Sequence, residues 1–448
     1  MSLHHSHSVS TSRLIRGAFL QATSDTDFEF LIDGIAVLAA DGKLLELGLA
    51  ATVAASHNID LASLKKFDGL ILPALYDMHF HWVQDDVREM PKESLLEWLN
   101  KYTFPTEAKF GEKDYATAKA AFFWKRILAT GTIGGLCYSS IHEVALEEAL
   151  EVAPEGFAIG NVLMTMECPD YIQQTEAEAI ESVQRSARRF GSRYIASPRF
   201  APTTAPAVME AAAEAANAAG CFQQTHLGET RAEIEWVLSI YEAVPGYEDV
   251  QTYTEIYERA GMLGPKTVFG HCIYLEPSEW QMLADSDSII ASCPTSNAPL
   301  ELRGIGSGLF DFQTAEAYGV RWGLASDIGG GPYLSMFDVM ASFVLQNEAA
   351  GVSGATRVKA LYRSSTMNAA LLGHADCKGK LAVGFDFDAI VVPADPEVLA
   401  CGDGEQILKS VLGACTDRND YDGLVLETII EGQSRFLKEG AVSLLGKV

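Results

Sequence analysis

Basic side chains are scarce in this 448-residue chain: 33 Lys and Arg stand against 60 Asp and Glu, a formal net charge of −27. So acidic a surface repels phosphate, which argues against nucleic acid or an anionic membrane as partner and leaves a small neutral ligand open. Long apolar runs are missing too. None approaches the roughly 20 residues that a membrane span needs, and no signal peptide is visible, so a cytoplasmic location is expected. The eight cysteines contain no Cys-x-x-Cys, and Cys137, Cys221 and Cys293 sit inside apolar segments. That pattern fits reduced, buried thiols and not a disulfide framework. The His-x-Glu with Pro-Cys-x-x-Cys of the base-flipping zinc deaminases is absent. There is no internal repeat or low-complexity linker, and no lysine lies between Lys125 and Lys266.

What remains is globular. With 48% hydrophobic and 21% charged residues, the chain can bury a large core, and its length suits two or three domains unless one is a barrel of roughly 250 residues. Residues 1–9 read as a disordered or tag-like tail, whose His4, His5 and His7 are set aside. Residues 10–68 hold short apolar runs, Ala36-Val37-Leu38 and Lys43 to Leu47, separated by an Asp41-Gly42 hairpin signal. From 69 to 374 the pattern changes to short apolar strands alternating with amphipathic helices, for example 205–219 and 232–241. Eight strand candidates start near Gly69, Gly131, Phe157, Arg193, Cys221, Thr267, Ser288 and Val320. Eight strand–helix units in this length predict a closed parallel (β/α)8 barrel, a TIM-like α/β fold. An open doubly wound sheet is the alternative, but its glycine fingerprint is missing at the first turn. After a helical stretch from Arg357 to Leu372, residues 375–448 return to strand patterns. Strands at both termini predict one small β-sandwich assembled from the two ends.

The apolar run Gly69-Leu70-Ile71-Leu72 leads through Pro73 to His79-Phe80-His81. On a strand, residues i and i+2 share a face, so His79 and His81 present two imidazoles side by side. Alone, His-x-His is as well explained by packing as by metal binding. The other strand ends supply the rest. His226 ends the fifth strand candidate, His271 the sixth, and Asp327 the eighth, so four of the seven histidines outside the tail gather where a barrel carries its functional face. Imidazole and carboxylate together suit a divalent transition metal.

This layout resembles the amidohydrolase superfamily of metal-dependent barrel hydrolases over nearly the whole chain. The N-terminal strands, the His-x-His, and the closing Leu371-Leu372-Gly373-His374, Gly379-Lys380-Leu381 and Asp386 to Ala389 all match. Two-metal members often bridge their ions through a carboxylated lysine on a middle strand, which the lysine-free stretch cannot supply. The resemblance therefore implies the mononuclear branch, with His79, His81, His226 and Asp327 holding one ion, Zn2+ first and Fe2+ second. It implies Glu229, three residues after His226, as the proton shuttle for a metal-activated hydroxide. It casts Asp327 as ligand and hydroxide-orienting catalytic group, and His271 as a stabiliser of the developing oxyanion. The bland alternative for Glu229 is an ordinary helix-start glutamate.

Finer motifs resemble the guanine deaminase branch. They are Ser94 to Glu107, Ser197-Pro198-Arg199-Phe200-Ala201, Ser292 to Asn297, and Ser326-Asp327-Ile328 before three glycines. That resemblance places Gln84, Arg199 and Phe200 against the substrate: an amide for ring nitrogens, a guanidinium for a carbonyl oxygen, an apolar wall. The plain alternative for Arg199 is a structural ion pair. The sequence departs from the branch at Ser292, at Tyr76-Asp77-Met78, and in a longer segment from 298 to 307. The implied activity is hydrolytic deamination of guanine to xanthine and ammonia by a metal-dependent aminohydrolase acting on C–N bonds of cyclic amidines. A pterin, an oxidised purine or a triazine is the alternative substrate, and a catalytically inactive structural protein on the same fold is the distant one. The family also implies a homodimer or larger homo-oligomer.

Overall fold

The computed structural model describes residues 13–92 and 94–445, so the expected tail at 1–9 lies outside the described residues. The strands in chain order are β1 (Arg13–Ala22), β2 (Phe28–Leu38), β3 (Leu44–Leu49), β4 (Lys66–Pro73), β5 (Leu75–His81), β6 (Thr132–Ser139), β7 (Gly156–Leu163) and β8 (Ile195–Pro198). They continue with β9 (Phe222–Leu227), β10 (Thr267–His271), β11 (Ile289–Ser292), β12 (Arg321–Leu324), β13 (Ala389–Val392), β14 (Glu427–Ile430) and β15 (Gln433–Leu437). The chain divides into two compact units: Met1–Leu75, Leu128–Thr132 and Thr356–Val448 in one, Tyr76–Ile127 and Ile133–Ala355 in the other.

The first unit is built on one seven-stranded mixed sheet, in the order β15-β14-β13-β4-β1-β2-β3. The two ends of the chain meet where β4 pairs antiparallel with β13, Ile71 opposite Val391. Gly42, at a φ of 86° that a side chain rarely adopts, turns β2 into β3 with Leu38 opposite Leu44, the hairpin that Asp41-Gly42 predicts. Ile15, Phe19, Leu38, Leu44, Ile71, Phe387, Val391 and Ile429 pack into its core.

The second unit is the eight-stranded sheet β5 to β12, its strands adjacent in chain order. The pairs from β6 to β12 are parallel. Backbone bonds join the two ends of this sheet, from Asp327 N–H to the His79 carbonyl (2.8 Å) and from His81 N–H to the Ile328 carbonyl (2.5 Å). The result is a nearly closed barrel. Most of its strands read as apolar runs because helices cover them. Pro206–Ala219 and Arg231–Tyr241 lie where the periodicity places helices, and the second is stopped at its N-terminus by a capping box, Thr230 with Glu233.

The run Gly69–Leu72 does not open the barrel, as the sequence suggested. It is the buried middle of β4, flanked by β1 and β13, and the barrel begins with β5. The chain stays extended through the junction but changes partners there: Ala74 N–H donates to the Asp388 carbonyl at 3.1 Å and Leu75 N–H to the Gly131 carbonyl at 3.0 Å. The helical stretch from Arg357 is likewise two helices, Arg357–Ser364 and Thr366–Leu371, separated at Ser365, whose ψ of −89° is not helical.

Candidate metal-dependent active site

Period two along β5 turns Asp77, His79 and His81 to one face, the barrel interior, and all three are buried. His226 comes from β9, His271 ends β10, and Asp327 follows β12 by three residues. The structure brings these groups together. One ligand atom each from His79, His226, His271 and Asp327 lies within 4.8 Å of the others. His81 joins them, its Nε2 3.2 Å from His226 Nε2 and 3.4 Å from Asp327 Oδ1. His79 Nε2 is also 3.4 Å from Asp327 Oδ1. Two of the side chains sit on left-handed backbone, His271 at φ 71° and Asp327 at φ 48°. Non-glycine residues take that region at a cost, and do so where surrounding structure imposes it.

The electrostatics suit a cation. Burial pushes the His79, His81 and His226 imidazoliums below their usual range, so these rings are neutral and offer lone pairs. Burial pushes the Asp327 carboxyl upward, but the His79 ring 3.4 Å away and the facing His271 outweigh that and hold it ionised. His226 Nδ1 donates to the Arg199 carbonyl at 2.6 Å, which leaves its Nε2 as the free lone pair. Both ring nitrogens of His79, and Nε2 of His271, are buried without a hydrogen-bond partner. Three neutral imidazoles and a carboxylate with orphaned nitrogens are a donor set that fits a divalent ion.

A cavity opens onto this cluster. Its lining includes His81, His226, Glu229, His271 and Asp327, together with Gln84, Arg199 and Phe200. Every site residue singled out in the sequence, apart from His79 at the back of the cluster, thus lines one cavity. Leu95, Trp98, Leu99 and Ile305 supply apolar wall. Burial raises the Glu229 carboxyl above its ordinary value against the opposing pull of His271. Its Oε1 accepts the Ser307 hydroxyl at 2.9 Å, and its Oε2 faces His271 Nε2 at 3.5 Å. Burial pushes the His271 imidazolium down, but the Glu229 and Asp327 carboxylates together leave it raised.

An amidohydrolase family model matches residues 70–432. The chain belongs to the amidohydrolase family. Among curated relatives it is 33% identical over 402 residues to guanine deaminase of Escherichia coli (strain K12), covering 85% of this chain and 88% of that protein. It is 29% identical over 440 residues to guanine deaminase of Rattus norvegicus, covering 91% and 94%. Among solved structures, E. coli guanine deaminase superposes with a TM-score of 0.84 at 28% identity, covering 95% of this chain and 100% of that one.

Within this family member, several residues around the site escaped sequence reasoning. Glu107 is fully buried and ion-paired to Arg199. Asn297 Oδ1 accepts from His271 Nδ1 at 2.9 Å and so fixes that ring's tautomer. Tyr138 stacks on His81, with ring centroids 4.4 Å apart. Asp77 receives the Ser326 amide at 3.0 Å as well as its hydroxyl, and burial raises its carboxyl to about 7. Asp77 was findable: the period-two reasoning that pairs His79 with His81 extends one step back to it. Glu107 ends a motif noticed as a whole, but its partners lie on distant elements.

Proposed function

We propose that this protein hydrolyses guanine to xanthine and ammonia at a single divalent metal ion. The observation that carries the reading is the shared cavity, in which Gln84, Arg199 and Phe200 face the same space as the histidine–aspartate cluster. The guanine deaminases among the relatives supply the substrate. His79, His81, His226 and Asp327 are read as the ligands, with Zn2+ preferred to Fe2+ because three imidazoles and one carboxylate suit it. His81 is preferred to His271 as the fourth donor because its Nε2 sits closer to Asp327, at 3.4 against 3.9 Å. One ion held there supplies Lewis acidity and makes hydroxide available near neutral pH.

The chain's own groups do the remaining work. Water oxygen adds to the amino-bearing ring carbon, and the bond to the exocyclic amine breaks. Glu229 takes one proton from water and gives it to a ring nitrogen, then takes the second from the added hydroxyl as the carbonyl forms and gives it to the amine, which leaves as ammonia, a task suited to a carboxyl that burial has raised. His271, set by Asn297, faces the developing negative charge, and Asp327 orients the attacking oxygen. Arg199 donates to the ring carbonyl, Gln84 pairs with the ring nitrogens, and Phe200 packs on the ring face. We read the enzyme as a cytoplasmic homo-oligomer. All eight thiols are free, and among the described residues no helix is long and apolar enough to cross a membrane.

The test is the ultraviolet absorbance of guanine with protein carrying about one ion per chain, with ammonia measured in parallel. Conversion to xanthine is expected. No turnover by the loaded protein, with conversion of a pterin or triazine instead, would sink the substrate and keep the chemistry. In the active protein, Glu229→Gln should lower kcat by about 10³-fold, within the range of a lost general acid–base, while elemental analysis finds the ion still bound. A near-normal rate would remove Glu229 from the mechanism.

A further inference from the structure

Glu107 closes the short helix Phe104–Glu107 in the excursion between β5 and β6, and it is fully buried. A lone carboxylate in such a place is costly unless it is paired and hydrogen-bonded. Its partners are two of the residues that line the substrate cavity. Oε1 accepts from Gln84 Nε2 at 2.7 Å and from Arg199 Nη1 at 3.0 Å, and Oε2 accepts from Arg199 Nη1 at 2.8 Å. On its far side the Gln84 amide is held as well, its Oε1 accepting from Gly329 N–H at 3.3 Å. The Arg199 guanidinium also lies over the Phe104 ring, 5.1 Å from its centroid.

This arrangement fixes more than position. A glutamine amide can be turned end for end, exchanging donor for acceptor. Here the NH2 end is committed to a carboxylate and the oxygen to a backbone N–H, so reversal would set oxygen against oxygen and N–H against N–H. The bonds to Glu107 use Arg199 Nη1 and leave the Nη2 edge to a ligand. The pair Glu107–Arg199 carries no net charge, so the recognition surface suits a neutral heterocycle that brings a carbonyl oxygen and not a carboxylate or phosphate.

We propose that Glu107 is the positioning residue that makes the cavity selective for a heterocycle bearing a ring carbonyl beside a ring N–H. It acts through Arg199 and Gln84. The inference deepens the guanine reading and rests on it for the pose. With glutamine at 107 the geometry of a side-chain oxygen is kept, but the charge is lost and an NH2 group is set against the donors of Arg199 or Gln84. Arg199 becomes an unpaired buried cation, and the Gln84 amide is free to turn.

The experiment is calorimetric titration of the metal-loaded protein with hypoxanthine, which has the ring carbonyl, and with purine, which lacks it. Neither carries the amine that reacts, so binding is read without turnover. The wild-type protein should bind hypoxanthine the more tightly. Glu107→Gln should weaken hypoxanthine by about 100-fold, the scale of a lost charge-assisted hydrogen bond, and purine by less than threefold. In an Arg199→Ala background the same substitution should cost little more, because the donor to the ring carbonyl, the larger of the two groups it acts through, is gone. Equal losses on both ligands, or a full additional cost in the Arg199→Ala background, would overturn the proposal and leave Glu107 as fold support only. If Glu107→Gln does not yield folded protein, Glu107→Asp carries the same comparison. Its shortened reach should still narrow the hypoxanthine-to-purine ratio, and an unchanged ratio overturns the proposal. Guanine turnover by the wild type is scored separately, so a wrong substrate and a wrong role for Glu107 give different results.

Discussion

At Gly270 a missing side chain keeps the ligand cluster open. A Cβ placed there would stand 2.7 Å from His79 Cε1 and 3.0 Å from His79 Nδ1, inside ordinary contact distance. The ring has nowhere to retreat, since Tyr138 and His226 flank it with centroids 5.0 and 4.7 Å away. Gly270→Ala should therefore displace His79 and weaken metal affinity about 10- to 100-fold, the range found when a ligand's support is disturbed. Elemental analysis after dialysis against a weak chelator, with far-ultraviolet circular dichroism as the check on folding, would show it. Full metal content in the variant would mean that the ring relaxes without loss. The sequence shows Gly270 only as the residue before His271 and gives no hint that it serves a histidine on another strand. The ligand candidates were legible because each falls at the end of a strand candidate. Glu107 and Gly270 were not, because their roles depend on contacts across the barrel that no local pattern records.

The segment from 298 to 307 is an element tied down from several sides. Ile305 lines the cavity, Ser307 holds Glu229, and Tyr274 donates its hydroxyl to the Ser307 carbonyl at 2.8 Å. Lys92, from the excursion after β5, clasps it: Nζ donates to the carbonyls of Arg88 at 3.1 Å, Arg303 at 2.9 Å and Gly330 at 2.5 Å. Burial lowers the Lys92 ammonium to about 8, against an opposing pull from Asp327. Below about 8 the ammonium is charged and binds the three carbonyls strongly; as pH rises through that value the charge is lost and the clasp weakens. For guanine, kcat/KM should fall on the alkaline side near pH 8, and this limb should vanish in Lys92→Arg, whose guanidinium stays protonated. Lys92→Met should raise KM about tenfold at every pH, as a cavity wall loses its anchor. An alkaline limb that persists in Lys92→Arg would assign it to another group. Elements elsewhere were partly legible for an instructive reason. A fully buried strand reads as the same apolar run in either sheet, so the sequence from Gly69 to His81 could not reveal where β4 gives way to β5.

Across the whole molecule, the candidate ligands lie where the barrel is joined. His79 and His81 belong to β5, the first barrel strand, and Asp327 follows β12, the last. The backbone bonds that link the two ends of the sheet run through the ligand residues themselves, from Asp327 to His79 and from His81 to Ile328. His226 and His271 add β9 and β10, strands on other parts of the wall. An ion held by this set would join segments far apart in sequence, so binding is coupled to keeping the barrel closed. Without the ion, neutral rings and a carboxylate remain buried with orphaned nitrogens, a cost that unfolding relieves. Ligand linkage gives the scale: an ion present at 100 to 1,000 times its dissociation constant adds about 3–4 kcal/mol. Removing the ion with a chelator should accordingly lower Tm by several degrees as well as abolish turnover, and Zn2+ should restore both together. Recovery of activity without recovery of Tm would show that the ion reacts but does not hold the barrel. Glu229→Gln separates the two effects, because it should lose turnover and keep the full metal-dependent rise in Tm.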